Sequence, residues 1–313
     1  MSLRTFFKLV EIQTKIASVF PFMVGILFVI YKFGTFKPIN TVIFFCSMLI
    51  FDLTTTAINN YMDYRKATTE TYRKKKNIIG QKEIPEKLVI SLIFALLIIA
   101  SSLGIILVIK TNIIVLFIGI LCFAIGIFYT FGPLPISRLP LGEVFSGVTM
   151  GFGIIFLTVY VNAFDKGIID IFWTGQLIEL HANYYVLLEI LWVSLPCVFT
   201  IANVMLANNI CDLEEDISNH RYTLPYYIGR KKAIKLFDIL YAATFLAIIT
   251  AVIYNVLPII ILLSLFVMIP VYKHCRQFNG KQVKSETFVL SVKNLILVNG
   301  SIVTMFVISL LIL

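Results

Sequence analysis

Three polar residues near the end of one apolar segment stand at a spacing that suits metal binding. Asn208, Asp212 and Asp216 follow one another at intervals of four residues, so on a helix all three point to nearly the same side. Two carboxylates one turn apart at the end of an apolar segment need a cation between them. The sequence therefore predicts a divalent-metal site, with Asp212 and Asp216 as ligands and Asn208 in support.

A second stretch repeats this arrangement. Asn59 and Asp63 also stand one turn apart at the end of an apolar segment. Basic residues follow both stretches: Arg65, Lys66, Arg73 and Lys74 to Lys76 after the first, and Arg230, Lys231 and Lys232 after the second. Two Asn/Asp helix ends that open into cationic loops suit a diphosphate bridged by magnesium.

The composition places these stretches in a membrane protein. Hydrophobic residues make up 59% of the 313 residues and charged residues only 14%, whereas soluble domains carry roughly 25% charged residues. Apolar runs of about 18 residues or more recur along the chain and predict membrane-spanning helices. The net charge of +9 does not indicate a nucleic-acid partner, because the basic residues concentrate in alternate loops.

The sequence predicts an all-α, polytopic membrane protein of about nine spans. The predicted spans are 14–32, 40–60, 87–109, 111–130, 141–163, 184–208, 235–254, 256–272 and 288–312. Their interiors are nearly free of charge. We expect one transmembrane domain over 1–313, with a solvated loop over 164–183 on the side opposite the two Asn/Asp stretches.

The distribution of Lys and Arg predicts the orientation. The N-terminus and alternate loops contain 22 of the 26 basic residues, and the others are Lys32, Lys37, Lys110 and Lys166. The positive-inside rule therefore places the N-terminus and loops 61–86 and 209–234, which carry the two Asn/Asp stretches, in the cytoplasm. The two stretches then lie on the same face, as a shared metal site requires.

At these residues the chain resembles the UbiA superfamily of intramembrane aromatic prenyltransferases. Members carry NDxxDxxxD and DxxxD motifs at corresponding helix ends, and a YT/YS-x-GP…LGE connection between them. The matching runs here are Asn59-Asn60-Tyr61-Met62-Asp63, Asp212-Leu213-Glu214-Glu215-Asp216, and Tyr129-Thr130-Phe131-Gly132-Pro133 followed by Leu141-Gly142-Glu143. The first motif departs from the pattern, since Asn60 replaces an Asp and Ala67 stands at the last acidic position.

The resemblance implies the chemistry and the roles of the residues. A polyprenyl diphosphate is held by two Mg²⁺, its C–O bond ionises, and the allylic cation attacks an electron-rich ring. Asn59 and Asp63 would bind one metal, and Asp212 and Asp216 the other. Asp63, Asp212, Asp216 and Tyr129 are the expected catalytic residues, and the expected diphosphate contacts are Lys66, Arg138, Arg221 and Asn208.

The context of the second motif most resembles the branch of the superfamily that prenylates 1,4-dihydroxy-2-naphthoate to give a demethylmenaquinone. It implies an integral protein of a bacterial-type plasma membrane that works among membrane lipids. Other acceptors remain open, namely 4-hydroxybenzoate, haem or a glycerol-phosphate lipid. The alternative from another class is a secondary transporter, which would place ionisable residues nearer the middle of the membrane.

Overall fold

Long apolar helices make up most of the fold, as a chain in lipid requires, because a helix satisfies its own backbone hydrogen bonds. The computed structural model describes residues 1–67, 70, 73–74, 77–132 and 135–312. Among these, eight helical segments are long and apolar enough to cross a membrane: Ile12–Phe33, Pro38–Lys66, Glu86–Lys110, Gly142–Ala163, Tyr184–Cys211, Arg230–Ile253, Ile259–Gly280 and Phe288–Ile312.

The remaining predicted span, 111–130, is a shorter helix, Ile113–Phe128. Its 16 residues extend about 24 Å at 1.5 Å per residue, less than the roughly 30 Å of a hydrocarbon core. The Asn112 side chain fixes its start by accepting a hydrogen bond from the Ile114 amide. The prediction of an all-α bundle of about nine spans is thus confirmed, with one span short.

The helices are numbered in chain order. They are α1 Leu3–Leu9, α2 Ile16–Phe33, α3 Pro38–Lys66, α4 Ile78–Gln81, α5 Glu86–Lys110, α6 Ile113–Phe128, α7 Gly142–Ser146, α8 Ile154–Ala163, α9 Tyr184–Cys211, α10 Leu213–Ser218, α11 Leu224–Ile228, α12 Arg230–Ile253, α13 Met268–Gly280 and α14 Phe288–Ile312. A π-helix, Gly147–Gly153, joins α7 to α8. Short 3-10 helices are Ile12–Lys15, Ile136–Arg138 and Ile259–Val267.

Helix α9 lies at the centre of the bundle and packs against α12, α14 and the π-helix. The contact with the π-helix depends on two glycines. A Cβ atom on Gly151 would come within 2.6 Å of the Val198 backbone, and one on Gly147 within 2.8 Å of the Val198 carbonyl oxygen. Small residues in membrane helices permit such close approach of backbones.

An ion pair between the buried Lys15, just before α2, and the partly buried Asp52 of α3 lies within the bundle, although the sequence predicted span interiors nearly free of charge. Lys15 Nζ lies 2.7 Å from Asp52 Oδ1 and also donates to Thr56 Oγ1 at 2.6 Å. The second carboxylate oxygen of Asp52 accepts a hydrogen bond from Ser18 Oγ at 2.7 Å. Both charges are therefore paired and hydrogen-bonded, as buried charges must be.

The segment 164–183 is not the solvated loop that the sequence predicted. It contains an antiparallel hairpin of β1, Ile169–Thr174, and β2, Leu177–Ala182. Gly175 takes the positive φ of 63° that the two-residue turn requires. The base of the hairpin is closed by the Asn183 amide, which donates to the Ile168 carbonyl at 3.0 Å.

Candidate active site

One polar cleft lies at the end of the bundle where α3 and α9 finish. It has about 390 Å³ of space, part of it open to solvent. It is lined by Asp63, Lys66, Ala67, Arg138, Asp212, Glu215, Asp216, Asn219 and Arg221. Six residues that the sequence singled out as site residues therefore meet here, from four separate parts of the chain.

The last two turns of α3 form one wall of this cleft. The helix runs unbroken to Lys66, and Ala67 leaves the helical conformation with ψ of 125°, so Asp63 and Lys66 both lie in its final turn. Asn59 sits one turn deeper and does not line the cleft. Its Oδ1 accepts a hydrogen bond from the Thr130 hydroxyl at 3.3 Å, which ties the end of α3 to the segment that follows α6.

The opposite wall is the junction of α9 and α10. Asp212 ends the helical hydrogen bonds of α9, because its amide donates to the Asn208 carbonyl at 3.0 Å. One turn later the Asp216 amide donates to the Asp212 carbonyl at 2.7 Å. The two carboxylates thus stand on successive turns, as their spacing predicted, whereas Asn208 does not line the cleft and contributes a backbone carbonyl to the junction.

Cations accompany both carboxylates. Arg221 Nε lies 3.5 Å from Asp216 Oδ1, and the Lys284 ammonium forms a hydrogen-bonded ion pair with Asp212 Oδ2. Burial raises the pKa of the Asp216 carboxyl to about 6, Arg221 and Lys284 oppose this rise, and Asp212 and Asp63 add to it. The three carboxylates are thus close enough to repel one another, which favours binding of a further cation between them.

A second set of contacts fixes the loop that carries Arg221. Its amide donates to the Asp216 carbonyl at 2.8 Å, and the Tyr222 amide donates to the Arg138 carbonyl at 3.2 Å. The Arg138 side chain in turn donates to the Asn219 carbonyl at 3.4 Å. These hydrogen bonds join the segments that carry the two arginines, and both side chains line the cleft.

Tyr129 lies beside this cleft but does not line it. Its hydroxyl donates to the Gly142 carbonyl at 3.4 Å. The neighbouring Glu143 is buried and accepts a hydrogen bond from Asn209 Nδ2 at 2.9 Å. This pair joins α7 to α9 directly behind the second motif.

The sequence patterns predicted no role for Lys284, Glu215 or Asn219. Lys284 follows α13, far from the motifs in sequence, and its only sequence signal was membership of a basic loop. Glu215 and Asn219 were detectable in principle, because they flank Asp216 within one helical turn. Glu143 was visible in the connecting motif and Asn209 beside Asn208, but the hydrogen bond between them was not predictable from the sequence.

Buried oxygen atoms near the cleft support the metal assignment. Asp216 Oδ2 and Thr223 Oγ1 are buried and find no hydrogen-bond partner within the described part of the chain. No group of three or more His, Cys, Asp or Glu side chains in those residues could hold a metal ion by itself. The carboxylates that line the cleft fit Mg²⁺ of the kind that is bound by one or two carboxylates together with substrate phosphates.

Residues 18–295 match the UbiA prenyltransferase family. The chain belongs to this family. Membership and the apolar helices of span length make it an integral membrane protein, and membership of a prenyltransferase family opposes the transporter alternative.

One relative of known activity bears on the branch within the UbiA family. The chain is 28% identical over 209 residues to 1,4-dihydroxy-2-naphthoate octaprenyltransferase of Bacillus subtilis (strain 168). The match covers 66% of this chain and spans 60% of the length of that relative.

Solved UbiA structures share the fold. The apo UbiA homolog from Aeropyrum pernix K1 has a TM-score of 0.69 and 19% identity, covering 93% of this chain and 98% of that one. The UbiA homolog from Archaeoglobus fulgidus bound to GPP and Mg²⁺ has a TM-score of 0.66 and 12% identity, covering 97% and 98%. At these identities the likeness concerns the fold.

Against the UbiA pattern, the structure explains one departure in the first motif. Asn60 points away from the cleft, where its Nδ2 donates to the Leu9 carbonyl at 2.9 Å and to Glu11 Oε1 at 3.2 Å. Asn77 donates to the Asn60 carbonyl at 2.8 Å. Asn60 is thus a structural link between α3 and the N-terminal segment.

The second departure from the family pattern, at position 67, faces the cleft. Ala67 lines it in place of the acidic residue of the family pattern. The nearest acid in sequence, Glu70, is exposed and pairs with Lys74 at 3.2 Å. Pro133 of the connecting motif and Lys75 and Lys76 of the basic run lie outside the described residues.

Proposed function

We propose that this chain transfers a polyprenyl group from a polyprenyl diphosphate to 1,4-dihydroxy-2-naphthoate, in an Mg²⁺-dependent reaction that releases diphosphate and CO₂ and gives a demethylmenaquinone in its reduced, quinol form. The observation that carries the proposal is the charge pattern of the cleft, where carboxylates from α3 and from the α9–α10 junction face Lys66, Arg138 and Arg221. A metal-bridged diphosphate complements that pattern, because it carries both charges.

Each wall of the cleft has its own task in this proposal. Asp63, supported by Asn59, would hold one Mg²⁺, and Asp212 and Asp216, supported by Asn208, the other. The metal would neutralise charge that develops on the departing diphosphate. Lys66, Arg138 and Arg221 would bind the diphosphate oxygens directly, and their fixed positions stabilise the leaving group without reorganisation.

The apolar bundle beneath the cleft suits the rest of the substrate. A polyprenyl chain attached to a diphosphate in the cleft must run into the membrane, because its hydrocarbon is excluded from water. Tyr129 and Glu143 lie beside the cleft, next to the α7–α9 contact, and in this proposal they would flank the first carbons of the chain. We assign Tyr129 a position facing the allylic cation, which an aromatic ring stabilises through its π-face.

The choice of acceptor is supported by a relative and by the sequence around the second motif, whereas the diphosphate is supported by the charges of the cleft. The Bacillus subtilis relative is named for 1,4-dihydroxy-2-naphthoate, and the second-motif context of this chain resembles that branch. By the same reasoning the enzyme acts as one domain over 1–313, in a bacterial-type plasma membrane with its cleft at the cytoplasmic face. The distribution of Lys and Arg supports this orientation.

The test is an assay of detergent-purified protein with Mg²⁺ and a polyprenyl diphosphate. 1,4-Dihydroxy-2-naphthoate and 4-hydroxybenzoate are offered in parallel, and products are identified by mass. A prenylated naphthoquinone that lacks the carboxylate and disappears with EDTA is the expected result. Prenylated hydroxybenzoate would keep the diphosphate chemistry and reject the acceptor, and activity that survives EDTA would reject the metal assignment.

A further inference from the structure

The β1–β2 hairpin has one apolar face and one largely polar face. In an antiparallel pair, residues directly opposite each other point to the same side, and successive residues alternate. The register therefore places on one side Ile169, Ile171, Trp173, Ile178, Leu180 and Ala182. The other side carries Asp170, Phe172, Thr174, Leu177, Glu179 and His181.

The protein covers only part of the apolar face. At the base of the hairpin Ile169 and Ile171 pack against the hydrophobic core of the bundle. Towards the turn, Trp173 is 73% exposed, Ile178 62% and Leu180 64%. The same face thus begins on the bundle and continues beyond it. A lone two-stranded hairpin is marginally stable in water, so an uncovered apolar face of this size needs a partner.

The attachment of the hairpin decides which partner is available. It follows the end of α8 at Ala163 and precedes the start of α9 at Tyr184, so both its ends are held where spans leave the apolar region. The Tyr160 hydroxyl donates to the Ile169 carbonyl at 3.0 Å, which ties β1 to the last turn of α8. Six residues of strand reach about 20 Å, so the hairpin stays near this boundary.

The chemistry of both faces matches a membrane–water interface. Trp and Tyr concentrate at that level because their rings are amphipathic, and Trp173 is joined there by exposed Tyr184 and Tyr185 at the start of α9. On the opposite side, His181 Nε2 lies 3.4 Å from Glu179 Oε2. That side also carries Asp170, so its charges suit water.

We propose that the hairpin lies on the membrane surface at the end of the bundle opposite the cleft, with its apolar face in the lipid interface. The occupant of that face is phospholipid, at the boundary between headgroups and acyl chains. The inference depends on the register and the attachment of the hairpin, and it is independent of the acceptor and the metal.

The two tryptophans of the chain make the test direct. Trp192→Phe leaves Trp173 as the single reporter on the apolar face. The matched control adds Trp173→Phe and Phe172→Trp to Trp192→Phe, which moves the reporter by one residue to the polar face. Both proteins are reconstituted in phosphatidylcholine vesicles with and without a phospholipid spin-labelled near the top of its acyl chain, and iodide is supplied on both sides.

We expect Trp173 to emit at shorter wavelength than the control, to be quenched by the spin-labelled lipid and to be protected from iodide. The control should be quenched mainly by iodide. Equal quenching of both by iodide would overturn the proposal. Protection of Trp173 from both quenchers, lost on dilution with lipid, would overturn it in favour of a second copy of the chain.

A second variant tests the apolar face without moving the tryptophan, so its result does not depend on how well the moved reporter is tolerated. Ile178 stands directly opposite Trp173, so Ile178→Asp places a carboxylate on the apolar face beside the reporter. This change should shift the Trp173 emission to longer wavelength and admit iodide. An unchanged spectrum in a protein that retains prenyltransferase activity would contradict lipid contact.

Discussion

The two Asn/Asp helix ends look alike in sequence but are built differently. At the α9–α10 junction both carboxylates face the cleft, each with a cation beside it, and backbone hydrogen bonds fix their spacing. At the end of α3 only Asp63 supplies a carboxylate to the cleft. Asn60, in the same motif, instead hydrogen-bonds to the N-terminal segment.

This difference shows that two similar motifs in one chain need not have the same function. The second motif provides most of the negative charge of the cleft, whereas the first divides its residues between the cleft and the fold. Beneath the first motif, Asp52 lies on the same side of α3 as Asn59 and Asp63, since 7 and 11 residues are close to whole turns. It is engaged with Lys15, so this side of α3 also has a structural task.

The largest expected effect comes from removing a cleft carboxylate. Asp63→Ala, Asp212→Ala or Asp216→Ala should lower kcat by about 10²-fold or more, because the diphosphate loses electrostatic stabilisation in the transition state. The proteins should still fold and insert. Turnover is measured on purified protein with saturating Mg²⁺.

Glu214→Gln is the matched control, because Glu214 lies in the same acidic run but is exposed and pairs with Arg230 at 2.7 Å. It should turn over like the parent. Normal activity of Asp63→Ala or Asp212→Ala would reject the assignment of a metal to both helix ends.

The next largest effect concerns stability on the α3 side. Lys15→Met leaves the partly buried Asp52 without its cation, and breaking such a pair costs at most about 3–5 kcal/mol. Thermal unfolding in detergent should show the loss. The double variant Lys15→Met, Asp52→Leu removes both charges and should recover most of it. If Lys15→Met unfolds at the temperature of the parent, the pair does not stabilise the fold.

Placing the family's Asp at position 60 should lower the free energy of unfolding. Asn60→Asp loses an amide donor to Leu9 and sets a carboxylate against Glu11, so we expect a loss of about 1–3 kcal/mol. The Mg²⁺ concentration for half-maximal turnover should not fall. Adding Glu11→Gln should relieve part of the loss. A gain in metal affinity with Asn60→Asp would show that this residue faces the cleft.

The smallest effect is expected at the other departure. Ala67→Asp places a carboxylate on the cleft wall, so the Mg²⁺ concentration for half-maximal turnover should fall by about 3-fold, since ligand charge tunes metal affinity. Ala67→Asn has nearly the same shape without the charge and should leave that concentration unchanged. An equal shift in both variants would indicate a steric effect.

Much of this structure could be predicted from the sequence. Apolar runs of span length predict the helices because lipid allows few alternatives. The four-residue intervals and the placement of both stretches on one face predicted that Asp63, Asp212 and Asp216 would come together, and the family resemblance implied that Arg221 would join them. These signals are local, or follow from the membrane itself.

Contacts between distant segments were not predictable in this way. Lys284 reaches Asp212 from the loop after α13, and nothing in its neighbourhood distinguishes it from other basic residues. The direction of Asn60 depends on where the N-terminal segment lies. The hairpin could have been predicted, because 169–182 shows alternation around Gly175. Its charges were sparse, however, and a loop was the simpler interpretation.

The π-helix has a consequence for the length of the chain. Each of its turns holds one residue more than an α-turn, so Gly147–Gly153 sets the rotation of Glu143 relative to α8. Deleting one residue there would restore α-helical winding and leave Glu143 facing Asn209, because the deletion removes the extra residue that the π-turn holds. A deletion elsewhere in α7 or α8 would instead rotate one end of this segment by about 100° relative to the other. A one-residue gap at Gly147–Gly153 in an alignment is therefore compatible with an unchanged contact behind the second motif, whereas a gap beside it is not.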